Sequence, residues 1–253
     1  MPLYKKIFIF LTIIILIFLY LYNKIKKKDG YEILECMNKL YTPYITPLEY
    51  YSTDTYNCNM IKNNWKIIKN EYESYVLYHK IYRLAFIDPE QLYIDTSNIP
   101  WNAIILRAYN KDTNLVKYFP HTVKILSNIK NCTTAYFSIL YPGKLIPLHT
   151  GVFKGVLRYH LGLKVPSNKE NCYIVVNNKK KIWEEGSDFL FDDTYPHYVY
   201  NNTNEIRVIL LLDIIRPFNN IIIDSINRLF LKTTSHNINV DKVVNKVNEL
   251  DKI

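Results

Sequence analysis

The stretch Val156-Leu-Arg-Tyr-His-Leu-Gly-Leu-Lys-Val165 decides the fold class of this chain. Leu157, Tyr159, Leu161 and Leu163 fall on one face of an extended chain, and Arg158, His160 and Gly162 fall on the other. A period of two marks a strand, because successive side chains point to opposite sides of the pleat. Upstream, Ala135-Tyr-Phe-Ser-Ile-Leu140 is strand-like and stops at Tyr141-Pro-Gly143, a turn signal. Downstream, further strands are expected over 172–177, 187–192, 197–200 and 205–215. Short strands separated by turns predict a mainly β protein, an antiparallel sandwich or jelly roll rather than an α/β sheet.

Helical periods flank this region. Ile61, Trp65, Ile68, Tyr72, Tyr75 and Tyr78 recur at three or four residues over 60–82, with Lys, Asn and Glu on the other face. Pro89, Pro100 and Pro120 then punctuate a region of short elements. After the strands, 221–231 is apolar with Asp224 and Arg228 embedded, and 240–253 is a polar amphipathic stretch. The expected organisation is an N-terminal segment 1–28, an irregularly packed linker 29–57, a domain 58–217 and a helical tail 218–253.

The formal net charge of +9 suggests a nucleic-acid partner until it is located. Residues 1–28 hold Lys5, Lys6, Lys24, Lys26, Lys27 and Lys28 and no acid, which leaves only +3 for the rest. No basic domain face remains to argue from, so no nucleic-acid partner is expected. Between those lysines, residues 7–23 carry no charge and are mostly Ile, Leu, Phe and Tyr. Such a helix would be roughly 25 Å long, short for a bilayer core, but flanking lysines can snorkel to the headgroups. The rival reading, a cleavable signal peptide, lacks a small-residue cleavage site, since Tyr22-Asn-Lys24 follows the apolar run. A single-pass transmembrane anchor is therefore expected over 1–28. Lysine placement leans toward a cytoplasmic domain, but the amino terminus narrows the difference and the side stays open.

At 49% hydrophobic residues the chain can build a core without disulfides. Cys36, Cys58, Cys132 and Cys172 are scattered, with no metal-ligand spacing, and read as buried free thiols. The sequons at Asn131 and Asn201 are of the number chance supplies in an Asn-rich chain.

Three histidines fall in the β region: His149, opening His-Thr-Gly151 after a strand and turn; His160, on the polar face of 156–165 with Arg158; and His197, after Phe191-Asp-Asp-Thr-Tyr-Pro196. Arg207 stands inside the otherwise apolar run 206–212. A guanidinium there needs an anionic partner or suffers a large desolvation cost. Its rigid fork suits a carboxylate, either of a bound dicarboxylic acid or of a structural Asp.

Phe137-Ser-Ile-Leu-Tyr-Pro-Gly143, His149-Thr-Gly151 and Leu157-Arg-Tyr-His-Leu-Gly-Leu163 together resemble the catalytic core of the aspartyl/asparaginyl β-hydroxylases. Trp183-Glu-Glu-Gly186, Phe191-Asp-Asp-Thr-Tyr-Pro-His197 and Ile206-Arg-Val-Ile209 follow in matching order. Asn64-Trp65 and Glu71 resemble the family's opening helix, so the resemblance covers about residues 60–217. It implies a double-stranded β-helix (a cupin-like jelly roll) with flanking helices, holding Fe(II) and using 2-oxoglutarate and O2. On this resemblance His149 and His197 bind iron, and Arg207 pairs with the distal carboxylate of 2-oxoglutarate. Arg158 and His160 contact that cosubstrate, and Ser138 lies near it. Most such oxygenases complete a facial triad with a carboxylate, where this chain has Gly151. The β-hydroxylases share that glycine and keep water in the vacant position, which Asp193 would orient.

The acceptor implied is an Asp or Asn side chain of a protein. Leu157-Arg-Tyr-His-Leu-Gly-Leu163, Cys172-Tyr-Ile174, Asp213-Ile-Ile-Arg-Pro217 and Ile226-Asn-Arg-Leu-Phe230 are similar instead to the membrane-anchored lipid A acyl-chain hydroxylases. Those are expected to carry Asp at the Gly151 position, so a lipid acyl chain is the alternative acceptor. A zinc hydrolase or a non-catalytic jelly-roll binding module would explain the histidines, but not Arg158 and Arg207 beside them.

Overall fold

The computed structural model describes residues 30–56, 58–129, 131–234 and 238–252, together with residues 2, 4, 5, 12 and 16. Apart from those five residues, the expected anchor over 1–28 lies outside the described residues. Among the described residues no helix is long and apolar enough to cross a membrane.

Two antiparallel sheets make the body. The larger contains β1 (Tyr50–Tyr51), β2 (Tyr82–Arg83), β3 (Trp101–Ala108), β4 (Lys111–Asp112), β5 (Cys132–Leu140), β7 (Val156–Lys164), β10 (Asp188–Phe191) and β12 (Arg207–Ile215). Its order is β1-β10-β7-β12-β5-β3-β2, with β4 also paired to β3. The smaller sheet contains β6 (Leu145–His149), β8 (Cys172–Val176), β9 (Lys179–Ile182) and β11 (His197–Asn201), ordered β6-β11-β8-β9. This is the expected mainly β, jelly-roll architecture.

The alternation read in β7 is real. Leu157, Tyr159, Leu161 and Leu163 are fully buried on its outer side, where helix α3 (Trp65–Tyr78) packs. The helix expected over 60–82 divides into α2 (Asn59–Asn63) and α3, because the Asn64 side chain donates to the Met60 carbonyl at 2.8 Å and competes with the helix ladder. Past the short α4 (Leu84–Ile87), Glu71 on α3 ties its helix to α5 (Pro120–Ser127), accepting from His121 N at 2.8 Å and Thr122 N at 2.8 Å. A carboxylate there satisfies free amides at a helix start. Tyr72 and Phe119 then meet Phe137 of β5, with ring centroids 5.5 and 5.0 Å away.

Two expectations change. Residues 29–57 are more than an irregular linker: they form α1 (Gly30–Tyr41) and β1, which joins the larger sheet beside β10. Ile33, Met37 and Tyr41 recur every four residues and are buried, a stripe obscured by the Thr, Pro and Tyr that follow. Strand β3 was not anticipated, because it is buried on both faces and shows no alternation. After the last strand the chain forms α6 (Ile221–Thr234) and α7 (Ile238–Leu250). Helix α6 buries Ile223, Asn227, Phe230 and Leu231, and α7 buries Val240, Val244 and Val247.

All four cysteines are free, and Cys58, Cys132 and Cys172 are buried as expected while Cys36 is exposed. Asn201 is wholly buried and donates to the carbonyls of Leu140 and Glu205, so its sequon is closed in the fold.

Candidate active site

Strands β6 and β11 bring His149 and His197 into register as direct cross-strand partners, with ring centroids 4.1 Å apart. Each ring is oriented by the residue two positions before it. Nδ1 of His149 lies 2.7 Å from the Pro147 carbonyl, and Nδ1 of His197 lies 2.9 Å from that of Tyr195. A carbonyl can only accept, so both Nδ1 atoms carry protons and both Nε2 lone pairs are left for a metal. Burial lowers His149 to about 4, helped by the neighbouring His197, and burial lowers His197 to about 4. Both rings are therefore neutral at pH 7, the form that ligates.

The acid expected to assist them is close by. Asp193 is buried, its backbone carbonyl accepts from Gly151 N at 2.7 Å, and its Oδ2 lies 3.0 Å from Nη1 of Arg158. Burial raises the Asp193 carboxyl, against the pull of Arg158. Nε of Arg158 also donates to Asp213 at 3.0 Å. Burial opposes the charge of Arg158, yet Asp193 and Asp213 keep it firmly protonated. Next door, buried Asp192 pairs with Arg216 at 2.5 Å, pinning the segment that presents Asp193. Among the described residues no group of three or more His, Cys, Asp or Glu is arranged to hold a metal, so the candidate centre is the histidine pair alone.

Arg207 and Ser138 meet at a second corner of the lumen. Arg207 is 1% exposed, and its Nη1 lies 3.4 Å from both the carbonyl and the hydroxyl of Ser138. The guanidinium lies over the Trp183 ring at 4.8 Å. Burial lowers Arg207 to about 10, and no carboxylate offsets that; Nε has no partner. The alternative of a structural Asp partner is thus not realised among the described residues. His160 is also buried, with neither ring nitrogen bonded, its ring set against Phe191, Phe189 and Trp183 at 5.1, 5.3 and 6.0 Å. Trp183 Nε1 is likewise unpartnered.

Of the residues singled out from the sequence, the structure brings together His149 with His197, Arg207 with Ser138, and Arg158 with Asp193. His160 borders the Arg207 pocket through Trp183. Arg158 is committed to Asp193 and Asp213. Trp101, Tyr136, Trp183 and Asp213 were missed as site residues. Trp101 Nε1 donates to the Ser138 hydroxyl at 2.9 Å, and Tyr136 is buried within the influence of both Arg158 and Arg207. Period two along β5 puts Tyr136 on the same face as Ser138, a signal that was available. Nothing in the sequence pointed to Trp101.

Fold and site together define a jelly-roll domain that carries a cross-strand histidine pair and a buried arginine met by no carboxylate among the described residues. The chain belongs to the aspartyl/asparaginyl β-hydroxylase family, whose profile matches residues 62–217. It is 40% identical over 118 residues to the ornithine lipid ester-linked acyl 2-hydroxylase of Rhizobium tropici, covering 46% of this chain and 42% of that protein. It is 30% identical over 181 residues to the aspartyl/asparaginyl β-hydroxylase of Mus musculus, covering 69% of this chain and 23% of that protein. The chain thus spans less than half the length of these curated relatives. Among solved structures, an oxidoreductase of the 2OG-Fe(II) oxygenase family from Burkholderia pseudomallei superposes with a TM-score of 0.42 at 9% identity, over 54% of this chain and 73% of that one.

Proposed function

We propose that this chain is a membrane-anchored, Fe(II)- and 2-oxoglutarate-dependent hydroxylase. The observation that carries the reading is Arg207, a buried guanidinium with no carboxylate beside it and an unbonded Nε. A cation so placed is costly unless a counter-ion arrives from outside the chain, and a dicarboxylate meets its fork. The surrounding donor set fits that guest, since the Ser138 hydroxyl, Trp183 Nε1 and the His160 ring all have unused hydrogen-bonding capacity.

His149 and His197 would hold the iron through their free Nε2 atoms. When bound, iron and 2-oxoglutarate supply the oxidation: one atom of O2 ends in the new hydroxyl and the other in succinate, with loss of CO2. The chain's residues do the positioning. Pro147 and Tyr195 carbonyls fix the two imidazoles, Arg158 fixes Asp193, and Asp193, whose carboxyl occupies the space a side chain at 151 would need, offers that carboxylate to orient water in place of a third protein ligand.

The acceptor read first is an Asp or Asn side chain of a protein, in keeping with glycine at 151 and the acid at 193. A specific observation favours a second reading, the acyl chain of a membrane lipid: identity to the lipid acyl 2-hydroxylase is 40%, against 30% to the protein hydroxylase. The test is succinate release by the iron-loaded full chain, with Asp/Asn peptides and acyl lipids supplied side by side. The acceptor that couples succinate release to its own hydroxylation identifies the substrate class. Stoichiometric zinc in the purified protein, with no 2-oxoglutarate turnover after iron loading, would overturn the oxygenase reading.

A further inference from the structure

The helix nearest the expected anchor is built into the site's own wall. Only residues 24–29 separate the apolar run from α1, and a fully extended chain of that length reaches roughly 20–25 Å at most. Helix α1 is then fastened to the body. The Tyr41 ring lies 5.9 Å from Phe153 and 4.9 Å from Phe218, and Phe153 lies 5.3 Å from Phe230 of α6. These rings, with Ile33 and Met37, form a second apolar cluster separate from the main core. Asn38 of α1 donates to the Val152 carbonyl at 2.8 Å and accepts from Lys154 N at 2.8 Å. It therefore clamps the loop that directly follows His149-Thr-Gly151. From the other side, Asn227 of α6 donates to the Gly155 carbonyl at 2.8 Å.

This cluster has an exposed apolar rim. Leu40, Val152, Ile222 and Leu229 are exposed, each adjacent in sequence to a cluster member, and Ile221 is 80% exposed at the start of α6. Apolar groups gathered around one satellite cluster are unlike singly scattered surface hydrophobes, and such patches mark contact surfaces.

We propose that this rim docks on the surface of the bilayer that holds residues 7–23, turning the loop after His149-Thr-Gly151 toward the lipid. The short tether and the packed α1 set that geometry: a domain joined within roughly 25 Å of the bilayer, through a helix on this same face, meets the membrane with it. The proposal rests on the anchor reading of residues 1–28, and the test separates the two. The unmodified full chain is reconstituted into phosphatidylcholine nanodiscs carrying a diazirine-labelled lipid, photolysed, and mapped by mass spectrometry. Adducts are expected within residues 148–154 and 219–230, several-fold above those around the exposed Leu77 and Tyr78 of α3. Replacing Ile221→Asp and Ile222→Asp together should remove the adducts in 219–230 and leave those in 1–28 unchanged. Adducts confined to residues 1–28 would overturn the docking face and leave the anchor standing. Adducts nowhere would overturn both, and equal labelling at Leu77 and Tyr78 would overturn the docking face.

Discussion

The carboxyl group of Asp193 fills the space that a side chain on Gly151 would need. A Cβ built on Gly151 would overlap Cγ and both oxygens of Asp193, while the Gly151 amide donates to the Asp193 carbonyl at 2.7 Å. The two positions are thus alternatives: an acid can stand at 193 or a side chain at 151, but not both without movement. Gly151→Asp alone should destabilise the fold by about 1–3 kcal/mol, the usual range for overpacking a filled site. Paired with Asp193→Gly, most of that loss should return. Denaturant midpoints of the two variants check this, and a fully stable Gly151→Asp protein would show that the volume is free.

His149→Ala and His197→Ala should each abolish iron binding if, as proposed, these two imidazoles are the side chains that hold the metal. His160→Ala should keep iron, because its ring packs among Trp183, Phe189 and Phe191, outside the cross-strand pairing of His149 with His197. Metal stoichiometry after anaerobic loading and desalting distinguishes the three. Retained iron in His149→Ala would move the centre elsewhere.

Arg207→Lys should weaken 2-oxoglutarate binding by about 2–5 kcal/mol, the cost of disrupting a buried, hydrogen-bonded charge pair. An ammonium cannot reproduce the two-pronged contact of the fork. Calorimetry under anaerobic conditions with iron bound reads the affinity without turnover. An unchanged affinity would remove Arg207 from the cosubstrate pocket.

The metal-free protein should lose stability as pH falls from about 6.5 toward 4. His149 and His197 are lowered from 6.5 to about 4 in the fold, chiefly by burial, so in this window the unfolded chain binds protons that the folded chain does not. Stability then rises with pH, is complete above the unfolded value, and is progressively lost below it. The slope should approach about 1.4 kcal/mol per pH unit for each histidine. Urea unfolding at several pH values measures it, and His197→Asn should remove about half the slope that this pair contributes. A flat profile between pH 4.5 and 6.5 would contradict the burial of the pair.

Strand β7, the strand–turn at 135–143 and the helical stripes could be read directly, because a one-sided apolar pattern encodes both the element and the face it buries. The histidine pair and Arg207 were also visible as residue types out of place in apolar strands. Strand β3 was not, since a strand buried on both faces loses the alternation that announces it. The break at Asn64 turns on one side chain reaching the Met60 carbonyl, a competition that periodicity does not register.

Tertiary structure decided the pairings. Arg158 and Arg207 are both arginines in the β region with a histidine nearby, yet one is claimed by Asp193 and Asp213 and the other by no carboxylate among the described residues, with only the Cys172 thiol and Tyr136 hydroxyl acting on it. That difference follows from strand order. β7 lies beside β12, which sets Arg158 opposite Asp213, while β12 lies beside β5, which sets Arg207 opposite Leu140 and within reach of Ser138. Which carboxylate meets which arginine depends on contacts between residues dozens of positions apart. A single sequence shows the residue types that can take part, and only the packed sheets show which are satisfied and which still await a partner.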